Sequence, residues 1–503
     1  MHKETTMGTR RDDIPSSQRV PIVIEALSPQ RAWGTISRLA RDHAVSRQTI
    51  YQMVAAGRAA LASQLVPGAH GPHPTRSDVR VDRNRLVRGS VILTEVGVSQ
   101  RDIPRCLEEL LDTAVSPSWV NARLAQVEAA AHQVNQRWQP AIGEGLSGDE
   151  IYSNGLPNLL VVGNESLYVY ALTRQPDCGG ETWGCVLLDG LAGAPFASDA
   201  GTGLAAGVKL AQVEHHQLDW DHLLRPVWGQ VARLEEQAYT ALAACEARAA
   251  QFTQAQTPKR LAHHLAAWER LQAEAQVKVD RYDQFRQLAI QIDAEFGLID
   301  RPTGDLRQPQ CAAENLRQVG RQLKGWAGAI YTKLSGYLVN LAAGLFSYLP
   351  VLAQALQPVE ARWGAPALRA LCQLWQCEAD TKRHPRTWPE RQQLQREWEA
   401  NLEAAVAVLG LETLSQAWAE VTHVLERAWR GSMLAECVNS LLRPLLNGRK
   451  HTDQGCLELF RFLHNVHPFQ RGKRAGHSPA QLVGLEVPDD PFTLLNLEPK
   501  VSI

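Results

Sequence analysis

Residues 147–204 read SGDEIYSNGLPNLLVVGNESLYVYALTRQPDCGGETWGCVLLDGLAGAPFASDAGTGL, and the punctuation of this stretch decides the fold class. Asp149 to Tyr152 and Asn158 to Val162 are short apolar runs split by Ser153, Asn154, Gly155 and Pro157, the residues of a hairpin turn. Leu167 to Thr173 alternates β-branched and aromatic residues with polar ones and gives a third strand. Glu181 to Leu188 has helical spacing, and a fourth strand runs from Phe196 to Asp199. The predicted order is three strands, a helix and a strand. A carboxylate pair, Asp149 and Glu150, stands on the first strand, and Asp199 ends the fourth.

Neighbouring strands lie about 4.8 Å apart, so they can bring carboxylates that are distant in sequence to one spot. Such clusters suit a hard divalent cation, because Mg²⁺ takes oxygen ligands and keeps positions open for water and phosphate. The element order and the placing of the two acids resemble the ribonuclease-H-like catalytic core of bacterial insertion-sequence transposases of the DDE type. GDEIY and SDAGTGL are similar to the first two motifs of that family. Its third acid is a Glu on a late helix, and the matching segment here is RGSMLAECVNSLLRPLLNGRK, residues 430–450, with Glu436. Glu436, Asn439 and Arg443 fall at i, i+3 and i+7, on one helix face.

The resemblance implies that Asp149, Asp199 and Glu436 are catalytic and hold two Mg²⁺ ions, with Mn²⁺ as a substitute. It also implies double-stranded DNA as partner, both element ends and target, a homodimer or higher oligomer on that DNA, and a place in the bacterial cytoplasm with the nucleoid. Asp219 and His222 form an Asp-x-x-His pair around Trp220, similar to an element that follows the second acid in hAT-like and Mutator-like transposases. On a helix the two would face the same way and would support the acids from behind, together with Asn439. Taken singly, Asp149 fits a turn, Asp199 a helix cap and Glu436 a solvated helix acid. The three in this order, in this pattern, favour catalysis. A nuclease that cuts without joining and a domesticated DNA-binding regulator are the rival functions.

Charge is consistent with a DNA partner. The whole chain of 503 residues has a net charge of −1, yet residues 1–139 carry 18 Lys and Arg against 13 Asp and Glu. Residues 441–477 carry seven against two, so two segments are positive beside a more acidic middle. The nine cysteines form no CxxC pair, which suits a reduced compartment, and the spacing of Cys372, Cys377 and His384 matches no common zinc site. Leu334 to Pro358 is uncharged over a length that could span a bilayer, but its Ser, Asn, Gln and Pro residues point to a buried helix pair and no membrane partner.

The fold class expected is therefore mixed: an N-terminal all-α helix-turn-helix region and an α/β ribonuclease-H-like core interrupted by a large all-α insertion. In chain order, residues 1–20 are polar and read as disordered, and 21–63 form the helix-turn-helix. Within ISRLARDHAVSRQTIYQMVAAG, Ile36 to Gly57, two helices meet at His43 to Val45, and Ser46 caps the second. Arg47, Gln48, Tyr51 and Gln52 lie on its outer face and would read base edges in the major groove. Residues 64–84 are a Pro, Gly and His-rich linker, and 85–139 a second helical unit in which Ser99 and Ser116 are N-cap candidates. The core occupies 140–229 and 430–455 around a helical insertion at 230–429, since 237 residues separate Asp199 from Glu436. Its Trp268, Trp326, Trp363 and Trp375 read as core residues before DNA-stacking ones. Residues 456–503 form a basic tail, with Arg471, Lys473 and Arg474 as a phosphate-contacting strap.

Overall fold

The computed structural model describes residues 14–28, 32, 34–65, 81–252, 257–383, 388–449 and 451–499. The chain divides into two units, Met1–Val81 and Asp82–Ile503. In the first, α1 (Ser16–Leu27), α2 (Thr35–Asp42) and α3 (Arg47–Leu65) close over Ile14, Ile22, Ala26, Leu39, Ala40, Ile50, Met53 and Val54. The α2–α3 turn bends where Ala44 takes a positive φ of 49°, and Val45 N reaches back to Ala40 O at 2.9 Å. Ser46 Oγ then accepts from Thr49 N at 3.0 Å, the cap expected from sequence. Of the segment read as disordered, residues 1–13 lie outside the described residues. The rest is a correction, because Ile14 is buried and α1 starts at Ser16. Ile14 packs in one cluster with Ile22 and Ala26 of α1, a contact that the polar composition of residues 1–20 did not show. The linker at 64–84 also shrinks, since α3 runs to Leu65 and the next helix starts at Arg83; residues 66–80 lie outside the described residues.

The second unit opens with α4 (Arg83–Glu95), α5 (Ile103–Leu111) and α6 (Pro117–Arg137). Ser116 caps α6 by accepting from Trp119 N at 3.1 Å. Ser99 does not cap α5: it orders the preceding turn through Asp102, which itself takes the cap position. The sheet follows, with β1 (Leu146–Ser153), β2 (Leu156–Gly163) and β3 (Val169–Arg174), then α7 (Gly180–Leu188), β4 (Phe196–Ser198), α8 (Thr202–Leu210) and β5 (His216–Leu218). Asn154 and Gly155, with φ of 52° and 77°, make the tight turn of the β1–β2 hairpin, which needs two left-handed residues.

The strand order is β3-β2-β1-β4-β5, with β2 antiparallel to β1 and β3, and β4 parallel to β1 and β5. Both faces are covered, which explains the unbroken apolar run in β2. Leu159 and Val161 pack with Trp183, Leu187, Leu204 and Val208 of α7 and α8, whereas Leu160 and Val162 pack with the last helices of the unit. β5, three residues long, went unread in the sequence.

From the end of β5 the chain leaves the sheet for a helical region: α9 (Asp221–Ala249), α10 (Pro258–Glu295), α11 (Pro309–Leu323), α12 (Ala329–Leu341), a 3₁₀ turn (Ala342–Phe346), α13 (Tyr348–Trp363), α14 (Ala365–Arg383), α15 (Trp388–Leu409) and α16 (Leu411–Leu425). It begins earlier than position 230, because α9 starts at Asp221 and carries Pro226 within it. Among the described residues one run, Ala329–Trp363, is long and apolar enough by composition to cross a membrane, with mean hydropathy 1.5. It is split by the 3₁₀ turn, and Leu334, Leu338, Leu345, Phe346, Leu349 and Leu352 lie in the shared core of this region. Trp326, Trp363 and Trp375 pack half-buried on that core, as expected, whereas Trp268 is not part of it and stands edge-on to Phe252.

The chain returns through α17 (Met433–Gly448), α18 (Gln454–Val466) and α19 (Pro479–Leu482). The expected basic tail is instead structural. α18 is buried along Cys456, Leu457, Leu459, Phe460, Phe462 and Leu463, and Asn465 and Gln454 cover the outer edge of β3 by bonding Val169 and Arg174. Covering an edge in this way blocks pairing with foreign strands. Beyond it, Arg88 of α4 grips Asp490 with two bonds of 3.0 and 2.8 Å and stacks on Phe492.

Gly207 of α8 meets α7 so closely that a Cβ would stand 2.3 Å from Trp183 Cβ and 2.9 Å from Gly184 N. Gly207→Ala should therefore destabilise the chain by about 1–3 kcal/mol through overpacking. Gly229 in α9 has open space around it, so Gly229→Ala should stabilise by about 0.5–1 kcal/mol through helix propensity. Chemical denaturation of the two variants checks both signs.

Candidate active site

β1 and α17 build the centre of the site. Neighbouring residues of a strand point to opposite faces, so Asp149 and Glu150 diverge. Asp149 faces α17, where Asn439 Nδ2 donates to its Oδ2 at 2.8 Å across 290 residues of sequence. Burial holds the Asp149 carboxyl above its usual range, the bonds from Asn439 and from Glu150 N pull it down, and the charges of Asp199 and Glu436 push it up again. Asp199 and Glu436, the other two acids singled out in the sequence, thus both lie within electrostatic reach of Asp149.

Glu150, which the sequence placed in the carboxylate pair without a role, is the strongly perturbed group. Burial first, then Asp199 and Asp149, push it up to about 7, and its Oε2 is buried without a hydrogen-bond partner in the protein. Its ordinary value is 4.5, so the unfolded chain ionises it first. The cost to folding builds as pH rises from about 4.5 to about 7 and is constant above that.

Asp199 follows β4 and accepts from Gly201 N at 2.9 Å. It is not the cap of α8, whose N-cap position is Gly201. A Cβ on Gly201 would stand 2.8 Å from Asp199 Oδ1, so the glycine permits this close approach. Next to it, His216 Nε2 pairs with Ser198 Oγ at 2.7 Å, and burial lowers His216 to about 4 against the opposing charge of Asp199. His216 is therefore neutral at physiological pH.

Glu436, in the first turn of α17, lies 3.2 Å from Nε2 of His222 in the first turn of α9. His222 thus reaches the site, but Asp219 does not share a helix face with it, contrary to the expectation from Asp-x-x-His. Asp219 precedes α9 and is fully buried. Its Oδ1 accepts from Asp221 N and its Oδ2 from both N and Oγ of Ser432, all at 2.8 Å. Gly431 allows this, since a Cβ there would stand 2.6 Å from Asp219 Oδ1. Trp220 adds to the tie: its N bonds Arg430 O, and the Arg430 guanidinium lies 4.1 Å over its ring. Asp219 therefore fastens the end of β5 to the start of α17.

Farther along α17, Arg443 is exposed while Asn439 is buried. In the last segment Arg474 is committed to the backbone carbonyls of Glu165 and Asn164, which removes it from the expected phosphate strap. Lys473 stacks on Trp429 at 5.9 Å, and Arg471 is exposed. In the other unit Arg47, Gln48, Tyr51 and Gln52 are all exposed, with Ile50, Met53 and Val54 turned inward. Cys372 and Cys377 are buried thiols raised by burial, and His384 lies outside the described residues.

Among the described residues no three His, Cys, Asp or Glu side chains are gathered closely enough to enclose a metal ion as they stand. The donor chemistry nonetheless suits a hard cation, because the Asp149 carboxylate is buried under the repulsion of Asp199 and Glu436. No protein-family model matches the chain, and no curated protein matches it.

Asp219→Ala would leave the two N–H groups and the Ser432 hydroxyl without their acceptor. The expected loss is about 1–3 kcal/mol per stranded buried group, lessened where water enters. Thermal unfolding of Asp219→Ala beside Asp219→Asn, which retains one acceptor oxygen, measures it.

Proposed function

We propose that the chain is a DDE-type DNA transposase with a ribonuclease-H-like catalytic core. The observation that carries this reading is the bond from Asn439 to Asp149, because it joins the late helix bearing Glu436 to the central strand, beside β4, the strand that Asp199 follows. The strand order, with one antiparallel hairpin added to a parallel trio, supports it.

On this reading Asp149, Asp199 and Glu436 would hold Mg²⁺, or Mn²⁺ in its place. Divalent ions held there would lower the pKa of water and would stabilise the charge that develops on the attacking and leaving oxygens. The chain's own residues do the positioning. Asn439 fixes the rotamer of Asp149, His222 orients Glu436, and the Asp219–Ser432 tie keeps α17 over β1. Water would cleave the element end, and the freed 3′-hydroxyl would then attack target DNA, without a covalent protein intermediate.

In an assay with element-end DNA and Mg²⁺, Asp149→Asn, Asp199→Asn and Glu436→Gln should each abolish cleavage and strand transfer and leave DNA binding intact. Full activity in one of them removes that residue from the site. Cleavage without joining would instead point to a nuclease.

Sequence reading falls, in this proposal, to the α2–α3 unit, where Arg47 and Gln48 stand exposed at the start of the second helix. Arg47→Ala or Gln48→Ala in the full chain should cost about 1–3 kcal/mol of preference for the terminal repeat over random DNA. Arg471→Ala with Lys473→Ala should weaken binding to both DNAs alike and flatten the log-log salt slope by about 0.9 for each phosphate that is no longer neutralised. Competition binding at several salt concentrations separates the two effects.

A further inference from the structure

The turn between α2 and α3 has a counterpart in the second unit. Residues 42–50 read DHAVSRQTI and residues 112–120 read DTAVSPSWV, with Asp, Ala, Val and Ser shared at the same places. Burial takes the same course through both, residue by residue. Asp42 and Asp112 are exposed, Val45 and Val115 half-buried, and Ile50 and Val120 fully buried. Ser46 Oγ accepts from Thr49 N at 3.0 Å, and Ser116 Oγ accepts from Trp119 N at 3.1 Å. The turns differ in one respect, since the left-handed residue is Ala44 in the first and Asp112 in the second. Both nevertheless deliver the chain to a serine cap.

The flanking helices correspond as well. α5 precedes the second turn as α2 precedes the first, and a connection of three or four residues between two helices is the spacing of a helix-turn-helix. A third helix packs on each pair: a Cβ on Gly57 of α3 would clash with Val23 of α1, and one on Gly89 of α4 would stand 3.1 Å from Leu107 Cδ2 of α5. α6 is anchored by its far half, where Glu128 accepts from Arg449 and Asn135 donates to Glu458. Its first turns lie at the surface, with Pro117, Ser118, Asn121 and Ala122 exposed. Residues 113–127 contain no Asp or Glu, just as residues 43–65 contain none, so neither second helix repels a polyanion along this stretch. Arg101 and Arg105 are exposed just before and within the first turn of α5, the helix that crosses the phosphate backbone in this motif.

We infer that α5 and α6 form a second helix-turn-helix, which reads duplex DNA in the major groove through Ser118 and Asn121. An Asn amide pairs with an adenine edge by two bonds, and a Ser hydroxyl serves either a donor or an acceptor on a base. The small side chain of Ala122 beside them lets the helix approach the bases closely. The inference rests on the DNA reading proposed above for the α2–α3 unit and extends it: the chain recognises two separate blocks of bases, one through each motif, while Arg101 and Arg105 hold phosphates.

The test is selection of tight-binding duplexes from a random-sequence library by the full-length chain, repeated with Ser118→Ala plus Asn121→Ala and with Arg47→Ala plus Gln48→Ala. The parent chain should enrich two blocks of bases. The first pair of changes should relax one block and the second pair the other. Each variant should bind the parent's selected duplex about 10-fold more weakly, with unchanged affinity for random DNA and an unchanged melting temperature, since the altered side chains are exposed. A single enriched block, or a second block that Ser118→Ala with Asn121→Ala leaves unchanged, overturns the inference while the α2–α3 reading stands. Equal weakening on selected and random duplexes overturns it too, by showing a contact without base preference. Absence of any enriched block in the parent chain brings down the α2–α3 reading and the inference together.

Discussion

The buried carboxylate of Asp219 is the constraint on which the arrangement of the second unit turns. It binds the start of α9 through Asp221 N and the start of α17 through Ser432, so the chain leaves the sheet and returns to it at one point. Everything between, from α9 to α16, is free to form its own core because this junction is closed. Loop-closure cost rises only slowly with the length enclosed, which is why a helical region of some two hundred residues is tolerated here. The glycine at 431 and the stacking of Arg430 on Trp220 are the local conditions for the junction.

Closing the junction sets the electrostatics of the site. With α17 held over β1, Glu436 and Asp149 come close enough to raise the Asp149 carboxyl, and Asp199 adds its charge to both Asp149 and Glu150. Such repulsion in a partly buried place destabilises the fold and is a common mark of a functional site. It is offset here only in part, by one amide donor from Asn439 and backbone N–H groups at Asp149 and Asp199. The remaining negative charge is what a hard cation would neutralise.

The C-terminal segment shows how composition can mislead. Its basic residues suggested a surface strap, yet α18 lies in the core and Arg474 closes on backbone carbonyls. A guanidinium with several donors suits carbonyl capture as well as phosphate contact, and charge alone does not distinguish them. The apolar face of α18, with Leu457, Phe460 and Leu463 at spacings of three, was the better signal.

The sequence by itself determined the local elements: the hairpin from Asn154 and Gly155, strands β1 to β4 from their apolar runs and the turns between them, the Ser46 and Ser116 caps, and the helical pattern of the long middle. These follow from backbone preferences and periodicities that act over a few residues. It also marked Asp149, Asp199 and Glu436, because their setting in strand or helix was legible. Only the tertiary structure decided what each polar group does. That Asn439 reaches Asp149, that Asp219 is a buried tie with no helix partner in His222, and that Glu150 is the perturbed acid all depend on contacts between residues remote in sequence. Such contacts are set by packing and desolvation, which no short window of sequence contains.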